Sequence, residues 1–176
     1  MRGAIGTLCV LAALGSATAQ DVAPIHEGTV QGEWALRESY SVVETRRNRA
    51  IEAATDDMSI FTRGIARRRL RRGTPIHRSL VFRGEGEHFR AHVGDYHLDF
   101  AADGRRRPFV DPFDEEMRAS QRFNGRRLTQ VMRNDDATLT HTLTLSDDGS
   151  RLTLTVRIES HHLPGDVIYR AHYRRA

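Results

Sequence analysis

The sequence predicts a mainly β protein: an antiparallel up-and-down barrel or strongly curved meander of about 8–10 strands, with one N-terminal helical segment packed on it or capping it. Three observations carry this. Apolar residues recur at helical spacing between about 42 and 71. From Pro75 onward the apolar period becomes two, with turn residues about every ten positions. The hairpins drawn from those turns place their apolar side chains on one common face.

Residues 1–19 have the form of an export leader, with Arg2, an apolar run from Ala4 to Leu14, and the small-x-small Ala17-Thr18-Ala19. Cleavage after Ala19 and a periplasmic or extracellular destination are therefore expected. The leader's run is too short to span a bilayer, and no later stretch is apolar enough. Residues 20–31 read as an irregular arm and 32–176 as one β domain. The only cysteine, Cys9, lies in the leader. Disulfides, zinc–thiolate sites and a cysteine nucleophile are thereby excluded from the mature chain.

Gly32 to Leu36 reads as a short first strand. Ile51, Ala54, Met58, Phe61 and Ile65 follow at spacings of 3, 4, 3 and 4, one face of a helix. Ser39 or Ser41 can cap its start, and Gly73 with Pro75 stops it. Thr55-Asp56-Asp57 offers a second start, so helix fills roughly 42–71 in one or two pieces.

The hairpins follow. A Gly94-Asp95 turn pairs Val93 with Tyr96, Ala91 with Leu98 and Phe89 with Phe100. An Asn124-Gly125 turn pairs Gln121 with Leu128, Ala119 with Gln130 and Met117 with Met132. A four-residue turn at 134–137 pairs Met132 with Leu139, Gln130 with His141 and Leu128 with Leu143. The turn at 147–150 pairs Leu145 with Leu152, Leu143 with Leu154 and Leu139 with Ile158. The other face, rich in threonine from Thr129 to Thr155, is a solvated β surface. A last strand after Pro164-Gly165 carries Val167, Tyr169, Ala171 and Tyr173 in phase.

Gly32-Glu33-Trp34 in a first strand, followed by such a meander, resembles the calycin superfamily of lipocalins and fatty-acid-binding proteins. The helical segment between the first two strands is more like the fatty-acid-binding branch. The resemblance implies a barrel interior that holds a small apolar ligand. The Arg-x-Tyr of fatty-acid-binding proteins is absent from the last strand, where Arg170-Ala171-His172-Tyr173 has another spacing. The late Leu163-Pro164 and the Tyr173-Arg174-Arg175 end are similar to exported bacterial proteins of unassigned function.

The hairpin phase turns Gln121, Gln130 and His141 inward among Leu and Met side chains, with Gln130 opposite His141. Buried polar groups must find partners. Either Gln130 and His141 satisfy each other inside a filled barrel, or the three anchor a ligand's polar end. Trp34 and Tyr169 complete the candidate contact set, Trp34 being either core packing at the barrel base or a stacking surface.

All 27 basic residues are arginine, which excludes lysine chemistry; the whole chain carries a formal charge of +4. Arg67, Arg68, Arg69, Arg71 and Arg72 crowd the helix end. There they suit the helix dipole or dock an anionic surface or acidic partner. His92 and His97 face each other across a hairpin, with His88 about 13 Å along the strand at about 3.3 Å per residue. His161-His162 is a loop pair. Neither group has the four ligands of a structural zinc site, so no metal or cofactor is expected. The acidic stretch at Asp111, Asp114, Glu115 and Glu116 fits no calcium loop. No nucleic-acid module, nucleophile elbow or dinucleotide fingerprint is present. The expected function is an exported, non-catalytic protein that holds a small apolar or amphipathic ligand. The alternative is a filled interaction module that docks an acidic partner or envelope surface through its arginines.

Overall fold

The computed structural model describes residues 30–85 and 88–176; the expected export leader and most of the expected N-terminal arm lie outside the described residues. A short strand β1 (Gly32–Leu36) leads into two helices, α1 (Tyr40–Ala54) and α2 (Ile60–Gly73). Nine strands follow: β2 (Ser79–Glu85), β3 (His88–Val93), β4 (Tyr96–Phe100), β5 (Arg107–Val110), β6 (Glu116–Asn124), β7 (Arg127–Arg133), β8 (Ala137–Leu145), β9 (Arg151–Ser160) and β10 (Val167–Arg175). They form one antiparallel sheet in the order β4-β3-β2-β1-β10-β9-β8-β7-β6-β5, curled with the helices packed against it.

The predicted helical segment is two helices. The Thr55 hydroxyl donates back to the Ile51 carbonyl (2.8 Å), competing with the backbone ladder where α1 ends. Ser59 then caps α2, its hydroxyl accepting from the Thr62 amide. At the first helix, Ser39 takes the N-cap position, but its hydroxyl meets that of Ser41. The break turns the predicted stripe apart. Ile51 and Ala54 stay buried, whereas Phe61 is 89% and Ile65 61% exposed. The buried stripe of α1 is Val43, Arg47, Ile51 and Ala54.

Most hairpin registers agree with the expectation. Val93 faces Tyr96, Gln130 faces His141, and Leu139 faces both Met132 and Ile158. The β6–β7 hairpin differs. Its turn is Gly125-Arg126, with Asn124 paired to Arg127, so Gln121 faces Gln130 and Ala119 faces Met132. Gly125 takes the left-handed φ of +58° that this turn needs. A two-residue slip leaves every side chain on its expected face, which is why alternation alone could not reveal it.

The inward face is a continuous core running from Trp34, Leu80 and Phe82 through Leu128 and Leu143 to Tyr173. Each large side chain buried there contributes about 1.5–3 kcal/mol. Trp34 is fully buried at one end. Its indole N–H donates to the Val30 carbonyl (2.9 Å), and the Arg175 guanidinium lies 4.7 Å over its ring. The two sheet edges meet at one end. The Gly104 amide donates to Gln121 O and the Phe123 amide to Ala102 O, so the segment after β4 pairs onto β6.

Candidate functional site

Two features lie inside the curl. One is a polar cluster on the inner faces of β6, β7 and β8. Gln121, Gln130 and His141 are all buried there, as expected. The Gln121 amide donates to two main-chain carbonyls, Phe89 O at 2.7 Å and Phe100 O. Gln130 Nε2 donates to Gln121 Oε1 (3.2 Å). The Gln130–His141 hydrogen bond that their register suggested is not made. Gln130 Oε1 and His141 Nδ1 are buried without partners. Leaving such an atom unpaired costs about 1–3 kcal/mol, so both are open valences.

Burial holds this cluster neutral. Desolvation lowers the His141 pKa to about 3, with nearby His77 adding to the effect. His77 is lowered to about 4, again by desolvation, which Asp95 opposes. The Tyr96 phenol is raised to about 12 by burial and the acidic groups around it. Its ring meets His141 edge-on, centroids 5.8 Å apart, and its hydroxyl donates to Gly73 O.

The second feature is a pocket of about 840 Å³, open to solvent, between α2 and one end of the sheet. Ile65 and Leu70 of α2 form one wall, and Met117, Leu139 and Ile158 of the sheet form the other. Charged groups ring the mouth, with Arg69 and Arg72 on the helix side and Asp111, Glu115 and Asp136 on the loop side. Asp111 holds its loop by accepting from the amides of Phe113 and Glu115. The acidic stretch is thus a pocket rim. Tyr96 also lines the pocket, and so stands between it and His141.

Of the five expected ligand contacts, Gln121, Gln130, His141, Trp34 and Tyr169, none lines this pocket. The first three form the cluster behind Tyr96, and Trp34 lies in the core. Tyr169 is buried beside Thr74 and Arg47, and burial pushes its phenol up. Of the expected docking arginines, Arg69 and Arg72 line the mouth, and Arg72 lies 4.8 Å over the Phe113 ring. Arg67 is tied down by Thr55 Oγ1 (2.8 Å) and Asp56. Arg68 and Arg71 are exposed. Sequence reasoning missed Tyr96 as the separator, although its in-phase inward position was visible. It also missed Arg47, buried in α1, which donates to Thr74 O at the end of α2 and pairs with Glu44.

No protein-family profile matches the sequence, and no curated protein matches it. Solved structures do. The Echinococcus granulosus fatty-acid-binding protein 1 is 13% identical and superposes with a TM-score of 0.51, over 84% of this chain and 97% of that one. A Schistosoma mansoni fatty acid binding protein in complex with arachidonic acid is 17% identical, with a TM-score of 0.49 over 83% and 95%. Caenorhabditis elegans lipid binding protein 8 is 17% identical, with a TM-score of 0.49 over 83% and 94%. The first of these likenesses, with the strand order and the helix pair after β1, gives this chain a calycin-type β-barrel fold.

Proposed function

We propose that this chain is an exported, non-catalytic carrier of one small apolar or amphipathic molecule. The observation that carries the reading is the pocket. Its volume of about 840 Å³ falls in the range of small-molecule sites, with apolar walls and a few polar groups. The ligand's apolar body lies between α2 and the sheet. Its polar end lies at the mouth, where Arg69, Arg72, Asp111 and Glu115 line the pocket. The Echinococcus protein of like fold is, by its name, a fatty-acid-binding protein, which agrees with an apolar tail here. Native mass spectrometry of the protein from its own host tests this. A stoichiometric lipid-sized adduct supports it; an apo mass, with no displacement of a fluorescent lipid probe, rejects it.

A second reading concerns α2. Ile60 is 82% and Phe61 89% exposed, on the helix that also carries exposed Arg68 and Arg71. An apolar tip flanked by cations suits an anionic lipid surface, where the rings insert and the guanidiniums pair with headgroups. Salt-sensitive sedimentation with anionic but not neutral vesicles supports it. Equal binding to neither at low salt rejects it, and retention by an acidic protein alone would move the site to a protein partner.

A further inference from the structure

Asp136 in the β7–β8 turn and His161 and His162 after β9 bring one ligand atom each within 4.8 Å of one another. His162 Nε2 lies 3.4 Å from Asp136 Oδ1, and the two imidazole centroids are 3.8 Å apart. We propose that these three side chains bind one divalent transition-metal ion at the rim of the pocket.

Several observations carry this. The β8–β9 ladder pairs Ala137 with Ser160, so the turns at the ends of the two strands hold Asp136 and the two histidines side by side. Ser160 fastens those turns together, since its hydroxyl donates to Asp136 O (2.8 Å) and accepts from the His162 amide (3.2 Å). Asn134 Oδ1 accepts from the amides of Asp136 and Ala137, which fixes the other turn. The side chains themselves are exposed, so an ion can enter without burying charge. Two imidazoles and a carboxylate make a donor set for zinc, cobalt, nickel or copper rather than for calcium or magnesium. Around zinc, neighbouring ligand atoms stand about 3.3 Å apart given its bond lengths. The three ligand atoms already lie within 4.8 Å of one another, on exposed side chains. Asp136 and His162 also line the pocket, so the ion's remaining positions lie at its mouth. The proposal does not depend on what the pocket carries.

Titration of the full chain with Zn²⁺ by calorimetry, and with Co²⁺ by visible absorption, tests it. One ion per chain is expected. Affinity should fall roughly tenfold or more in His161→Ala, His162→Ala and Asp136→Asn, each checked for an unchanged circular dichroism spectrum. The double variant His92→Ala/His97→Ala should bind as the parent does. No saturable binding at about 0.1 mM metal would overturn the proposal. So would binding that survives the loss of both His161 and His162, or that vanishes with His92 and His97.

Discussion

Gln121 on β6 donates its side-chain amide to the main-chain carbonyl of Phe89 on β3, 2.7 Å away, across a seam of the curled sheet that the isolated Asp103–Arg122 bridge also spans. The same amide reaches Phe100 O, and its carbonyl receives Gln130. Gln121→Leu should therefore lose about 3 kcal/mol, since three hydrogen bonds go and their buried partners stay. Gln130→Leu should cost less than about 1 kcal/mol, because it removes one bond and also an unpaired oxygen. Urea denaturation midpoints decide this, and equal losses would contradict the seam.

Acid should weaken the fold through its two buried histidines. Both have folded pKa values below the ordinary 6.5, about 3 for His141 and about 4 for His77. The unfolded chain then binds protons that the folded chain refuses. Their contribution is complete above about pH 6.5 and is lost as the pH falls toward 4. A loss of about 3 kcal/mol or more between pH 7 and pH 4 is expected. His141→Leu should flatten much of that slope while changing stability little at pH 7. Asp103 and Asp148, held low by hydrogen bonds from arginine and serine side chains, act only below their ordinary 3.8. Denaturation curves at several pH values separate the two windows.

Two turn glycines should differ sharply. Gly94 has φ +62°, and a Cβ there would lie 1.9 Å from ring atoms of His77. Gly125 has φ +58° and open space around it. Gly125→Ala should cost about 1–2 kcal/mol from the left-handed backbone alone. Gly94→Ala should cost about 3 kcal/mol or more, because His77 must shift while its carbonyl accepts from the Tyr173 hydroxyl. Thermal melts of the two variants give the comparison.

Filling the pocket should separate binding from folding. Ala66 on α2 and Ala137 on β8 both line it and are half-buried. Ala66→Trp or Ala137→Trp should leave the fold intact and weaken displacement of a lipid probe roughly tenfold or more. Unchanged displacement would place the ligand elsewhere.

The exposed tip of α2 should be dispensable for stability. Ile60→Ser and Phe61→Ser should change unfolding free energy by less than about 0.5 kcal/mol. They should abolish retention on anionic vesicles. Retention that survives both changes would remove α2 from the lipid-docking reading.

The sequence made the sheet far more legible than the site. Leu139, His141 and Leu143 could be placed because short turns fix register and one buried face forbids a one-residue slip. The Gln121–Gln130 pairing escaped because a slip of two offends neither rule. The break at Thr55 was one of two readings, since the 3-4-3-4 spacing continues across it. Its effect on Phe61 and Ile65 depends on a change of helix direction that periodicity does not encode. The pocket was invisible because α2 and turns far apart in sequence build its walls. The carbonyl partners of Gln121 were equally hidden, being main-chain atoms that any residue carries.

The strand order also sets a timetable. Hairpins of near neighbours build β2 to β4 and, separately, β5 to β10. Among the strand ladders of the described residues, β1 alone joins the two blocks, with Trp34 opposite Leu80 on one side and Arg175 on the other. Each block can form by fast, local steps, but joining them closes a loop across almost the whole described chain. A nascent chain that lacks residues 167–175 can assemble every other neighbouring pair, yet β1 has no second partner and β9 keeps an open edge. The most non-local ladder of the sheet thus rests on three residues of β1, Trp34, Ala35 and Leu36, paired to the end of β10.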